Sequence, residues 1–168
     1  MVLWAMVIGI LALVVWQDFT HRAVYVWIFP LLAVLAIAHS IMLQVFSLAF
    51  ILTNLIIVVI QLCVLNILLY GKRKKWLMHG EQWLGWGDVA FFAVLTCCFS
   101  TVNFILFYVV SLIIVLLATL LAIAVGCRMK NIPLAGGQAA LLAMVLLADY
   151  VHWGRQLYID IDVLHVIQ

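Results

Sequence analysis

The chain has 168 residues, 70% of them hydrophobic and only 8% charged, with a mean hydropathy of +1.36. A water-soluble domain carries about 25% charged residues, so the composition argues against a soluble globular fold and predicts an integral protein of the lipid bilayer. The formal net charge of +2 offers no electrostatic footprint for nucleic acid.

Six apolar runs follow one another, each measured against the roughly 20 residues that a spanning helix needs. The first covers residues 2–17; no basic segment precedes it, and its charges, His21 and Arg22, come after it. That order is wrong for a cleavable signal peptide and predicts a helix whose N-terminus lies outside. The second covers residues 24–44, with Pro30 near its start. The third, residues 46–70, carries Asn54, Gln61 and Asn66, and amides inside a span usually join helices. The one long polar loop follows, from Gly71-Lys72-Arg73-Lys74-Lys75 to Glu81-Gln82. The fourth run, from Asp88 to Ser100, makes only about 20 Å of helix against a hydrocarbon core of about 30 Å. To span, it must take in Trp83-Leu84-Gly85-Trp86-Gly87, which sinks Asp88 below the membrane surface. The fifth run covers residues 102–126. The sixth starts at Pro133, a residue suited to the first turn of a helix, and reaches Tyr150; a tail of residues 151–168 follows. In that tail Asp160 and Asp162 alternate with Ile159, Ile161 and Val163, the pattern of a short extended segment.

Loop charges set the orientation. Arg22, Lys72, Arg73, Lys74, Lys75, Arg128 and Lys130 follow runs one, three and five. The loops after runs two and four hold no Lys or Arg, and the tail holds only Arg155. Both termini are therefore expected outside, with three basic loops in the cytoplasm below the plasma (inner) membrane. Trp16, Trp27, Tyr70, Trp76, Trp83 and Trp86 lie near the inner boundary and fit an interfacial aromatic belt. The expected fold is all-α: a polytopic membrane protein of six transmembrane helices, forming one domain over residues 1–168. Cys63, Cys97, Cys98 and Cys127 make no C-x-x-C pair, so they read as small core residues rather than as a zinc ribbon or a disulfide framework. His39, His152 and His165 are scattered on the outer side, His21 and His79 lie in cytosolic loops, and no metal site is expected.

Two of the six acidic residues stand at run boundaries: Asp18 closes the first run and Asp88 opens the fourth. An aspartate at membrane depth costs about 2.5–3.5 kcal/mol, which makes a function its default reading. Run one travels inward and run four starts from the inner side, so both carboxylates are expected at one depth on the cytoplasmic face. Two carboxylates that share a site hold one proton between them. One then serves as general base on a water while the other polarises a carbonyl, and a peptide bond is hydrolysed without metal or cofactor. Gly85 and Gly87 carry no Cβ and leave room for backbone to approach Asp88. A plainer reading has each carboxylate neutralise a base at a helix boundary, as Asp18 with Arg22 at i, i+4. A third has the acids serve a proton or cation path, with Asn54, Gln61, Asn66, Asn103 and Gln138 as further polar groups that form no obvious line.

Gly85-Trp86-Gly87-Asp88 resembles the GxGD signature of membrane aspartyl proteases. Asp18-Phe19-Thr20-His21-Arg22-Ala23-Val24 resembles the other catalytic segment of the type IV prepilin peptidase and preflagellin peptidase family, and Ile132-Pro133 is similar to a recurrent feature ahead of its last helix. The resemblance implies an aspartic endopeptidase with Asp18 and Asp88 as its dyad and no cofactor. It also implies a prepilin-like membrane substrate of the type IV pilus kind, whose basic leader is cut at the cytosolic boundary. Arg22 and Pro133 become neighbours of the dyad or the substrate. The chain departs from the family pattern at Tyr25-Val26, where the family has Pro-Asn, and only one Arg remains between Asp18 and that position. The paired C-x-x-C motifs of larger bifunctional members do not occur, which implies a peptidase core without methyltransferase activity. Presenilin-like proteases share GxGD, but their later Pro-Ala-Leu is met here only by Pro133-Leu134-Ala135, in another order.

Overall fold

The computed structural model describes residues 2–21, 24–73, 85–125, 134–151 and 157. Among these residues six helices follow one another: α1 (Val2–His21), α2 (Ile28–Met42), α3 (Leu48–Arg73), α4 (Trp86–Leu95), α5 (Thr101–Ala124) and α6 (Leu134–Val151). Among the described residues there is no strand. Three stretches among the described residues are long and apolar enough to cross a membrane, Leu3–His21, Leu48–Leu68 and Thr101–Ala124; α2, α4 and α6 are shorter apolar helices.

The boundaries differ from the apolar runs where local hydrogen bonding overrides hydrophobicity. Residues 24–27 are not helical; they turn, with the Ile28 N–H bonded to the Tyr25 carbonyl at 3.0 Å, and α2 begins only after them. The Tyr25 N–H reaches back to Gln17 Oε1 at 3.3 Å. Between α2 and α3 Gln44 takes a left-handed φ of 59°, and the Val45 N–H bonds the Ser40 carbonyl at 3.1 Å, which closes α2 with a Schellman-type turn. Helix α4 has 10 residues, about 15 Å, and does not cross a hydrocarbon core of about 30 Å alone. It stops because the chain tightens: the Cys97 and Cys98 N–H groups bond three residues back, to Val94 and Leu95, at 3.0 and 3.1 Å. The extended tail expected beyond α6 lies outside the described residues, apart from Leu157, whose carbonyl accepts the Ser100 N–H at 3.0 Å.

Short α4 packs on α2, α3 and α6, while α1 packs on α2 and α6 and α5 on α3 and α6. Its Phe91, Phe92, Val94 and Leu95 are all buried, with Leu11, Leu32, Phe104 and Leu142 of the surrounding helices. Aromatic rings knit the layers: Phe29 meets Phe91 edge-on at 6.4 Å, Phe92 meets Tyr108 at 5.2 Å, and Phe104 stacks on Tyr108 at 5.5 Å. The outer faces of α3 and α5 are leucine, isoleucine and valine side chains left exposed, among them Ile56, Ile60, Ile67, Leu117, Leu121 and Ile123. Apolar outer faces around an equally apolar core are the reverse of a water-soluble bundle.

Contacts between helix ends fix an up-and-down order. The end of α1, the start of α4 and the start of α6 meet through Asp18, Asp88, Ala135 and Gly136. At the other end Asn54, early in α3, donates to the Thr96 and Phe99 carbonyls beyond α4, and Trp4 of α1 meets His39 of α2 edge-on at 5.1 Å.

Candidate active site

Asp18 lies one turn before α1 ends, and Asp88 is the third residue of α4. Gly85 is the N-cap of α4, in extended backbone (φ −75°, ψ 150°). Its N–H donates to Asp88 Oδ2 at 3.0 Å, the carboxylate half of a capping box. Asp88 Oδ1 accepts the Ala135 N–H of α6 at 2.9 Å. The next N–H of α6, that of Gly136, donates to Asp18 Oδ2 at 2.6 Å.

Two carboxylates seventy residues apart in sequence are therefore held by consecutive N–H groups of one helical turn. Those N–H groups have no partner inside their own helix, and the positive end of the helix dipole favours an anion there. Asp18 is buried at 9% exposure and Asp88 is partly buried, and the two carboxylates lie close enough to feel each other's charge. The structure thus brings together the two aspartates that the sequence singles out. The third element, the start of α6, takes part through its backbone N–H groups, which no side chain in the sequence announces.

Gly85 and Gly87 flank the turn into Asp88. A Cβ built on Gly87 would meet only the Phe29 ring, at 3.8 and 3.9 Å, whereas one on Gly85 would lie 3.3 Å from Asp88 Oδ2. Arg22 and Pro133, expected as neighbours of the dyad, lie outside the described residues, as do His79, Cys127, Glu81 and the lysines from 74 onward. His21 is exposed, its ring 6.4 Å from Trp16. The cysteines divide: Cys98 is buried, Cys97 intermediate and Cys63 exposed on the outer face of α3, so Cys63 is not the core residue expected of it. Asn54 and Gln61 act as interhelical amides, Asn54 on the end of α4 and Gln61 on the Tyr108 hydroxyl.

One acid escaped the sequence reading. Asp149, near the end of α6, is 6% exposed. The signal was present, since Ala148-Asp149-Tyr150 closes an apolar run as Asp18 does. Gln138 is also fully buried on α6, its Nε2 donating to Ser111 Oγ at 3.2 Å.

No protein-family model matches the chain, nor does any curated protein or solved structure. The site's own geometry is the ground for a functional reading.

Proposed function

We propose that the chain is a membrane-embedded aspartic endopeptidase, with Asp18 and Asp88 as its catalytic dyad. Its substrate is a membrane-anchored, prepilin-like precursor with a short basic leader ahead of an apolar helix. The observation that carries the reading is the convergence of the two carboxylates on the Ala135 and Gly136 N–H groups. The start of a helix offers several unpartnered N–H groups, but two anions on adjacent ones repel each other unless a proton is shared. A shared proton is what the chemistry uses. The ionised carboxylate takes a proton from water as the water oxygen attacks the scissile carbonyl carbon, and the protonated one hydrogen-bonds the carbonyl oxygen. As the tetrahedral species collapses, the C–N bond breaks, the leaving nitrogen takes the proton that the first carboxylate drew from water, and the dyad again holds one proton. The resemblance of the Asp18 and Gly85–Asp88 segments to prepilin peptidases supports the same assignment.

In this reading six helices traverse the inner membrane, both termini face outside, and the dyad faces the cytoplasm. The exposed Trp16, Trp27 and Trp86 all lie at the dyad's end of the bundle, which fits an aromatic belt at the inner boundary.

A proton or cation path is a second reading. Asn54 Oδ1, Ser100 Oγ and Gln138 Oε1 are buried without a hydrogen-bond partner among the described residues, and such orphaned acceptors are what a hydrated ion would use. Purified protein in vesicles separates the two. The endopeptidase predicts cleavage of a co-reconstituted precursor (basic leader, apolar helix) that is lost in Asp88→Asn, with no Asp88-dependent proton or cation flux. Flux lost in Asp88→Asn, with the precursor intact throughout, would favour the path instead.

A further inference from the structure

We infer that Gly136 is a positioning residue of the dyad, an inference that rests on the endopeptidase reading above. A Cβ built on Gly136 falls 2.7 Å from Asp18 Oδ2, 2.9 Å from its Cβ and 3.2 Å from its Cγ. Rotating the carboxyl group away does not relieve this contact, because the Asp18 Cβ, fixed by the α1 backbone, is itself too close. The Gly136 N–H meanwhile holds Oδ2 at 2.6 Å. Any side chain at 136 thus drives α1 and α6 apart at the level of Asp18. The preceding residue, Ala135, carries a buried side chain and binds Asp88 through its own N–H at 2.9 Å. The first turn of α6 therefore sets the separation of the two carboxylates, and Gly136 sets where Asp18 stands on it. A misplacement of about 1 Å in a catalytic group costs on the order of 100-fold in rate.

Gly137 provides an internal control. Its Cβ would lie 2.8 Å from Val115 Cγ2 on α5, an equally tight contact that touches neither aspartate. Gly136→Ala and Gly137→Ala both strain a helix interface, but only the first moves a carboxylate.

The test uses the full chain in lipid vesicles with a synthetic precursor bearing a basic leader and an apolar helix. Gly136→Ala is expected to lower kcat by about 100-fold with KM within twofold, and Gly137→Ala to lower the thermal midpoint with kcat unchanged. Wild-type kcat in Gly136→Ala, with Asp18→Asn inactive, overturns the inference while leaving the endopeptidase reading in place. Asp18→Asn cleaving like the wild type overturns the reading itself. Thermal unfolding supplies a readout independent of activity. Gly136→Ala is expected to destabilise the wild-type chain but much less a chain with Asp18→Gly, which lacks the opposing Cβ. Equal loss in both backgrounds, or failure of Gly136→Ala to fold in both, would show that the substitution acts elsewhere than on Asp18.

Discussion

At a single residue the problem is how an aspartate survives where water is scarce. Membrane depth costs it about 2.5–3.5 kcal/mol, and a hydrogen bond to a charged group returns about 1.5–3 kcal/mol. Asp88 accepts two such bonds, from Gly85 and Ala135, and they offset that cost. Gly85 serves that capping turn, and Gly87 does not: a Cβ there meets only the edge of Phe29. The fold therefore does not need glycine at 87, and a glycine that the fold does not need is free to serve a substrate backbone passing Asp88. Alanine is favoured over glycine within a helix by about 1 kcal/mol. Gly87→Ala is expected to unfold at an equal or higher temperature, followed by calorimetry, while cleavage of the precursor falls at least about tenfold. A variant that is more stable and fully active would release Gly87 from the role.

Among the elements, α4 depends most on its neighbours. Its 10 residues are too few to form a stable helix alone; burial of Phe91, Phe92 and Leu95 and polar closure at both ends hold it. At its far end the fully buried Asn54 supplies donors to the Thr96 and Phe99 carbonyls at 3.3 and 3.1 Å. Asn54→Leu keeps the volume and removes both donors, leaving buried carbonyls unmet at about 1–3 kcal/mol. The expected result is a lower thermal midpoint with the dyad chemistry intact once folded, measured by unfolding and cleavage on the same sample. The six apolar runs and Asp18 with Asp88 were legible because hydrophobicity and its interruption by acids are properties of single stretches. The shortness of α4 was not, because it ends in backbone bonds at Cys97 and Cys98 within a run that stays apolar to Phe99. The role of α6 was hidden as well, since backbone N–H groups carry no side-chain signature. Asp149 is legible by the rule that picks out Asp18, since it too closes an apolar run.

Across the whole molecule, the dyad sits at one end of the bundle but not at its edge. Gly137 is level with Val115 of α5, and α5 continues from there to Ala124, about 13 Å further. Helices α1, α4 and α6 end within about a turn of the aspartates, so the site is recessed beside the longer α5. The proposed orientation, with both termini outside an inner membrane, puts the ends of α1 and α3 and the start of α4 on the cytoplasmic side and the α2–α3 turn at Gln44 on the outside. In a chain stripped of its own four cysteines, single cysteines at Thr20 and Lys72 should react with an impermeant thiol reagent only from the cytoplasmic side, and one at Gln44 only from outside. Reaction of Thr20 and Gln44 from the same side would undo the alternation. The central claim, that Asp18 and Asp88 act as one catalytic unit, is tested most directly by the rate of precursor cleavage in four forms of the reconstituted protein: wild type, Asp18→Asn, Asp88→Asn and the double variant. Groups that act as a unit are non-additive, so each single variant is expected to fall to the same background as the double, with insertion unchanged. Substantial cleavage by either single variant, or losses that multiply in the double, would contradict the shared dyad.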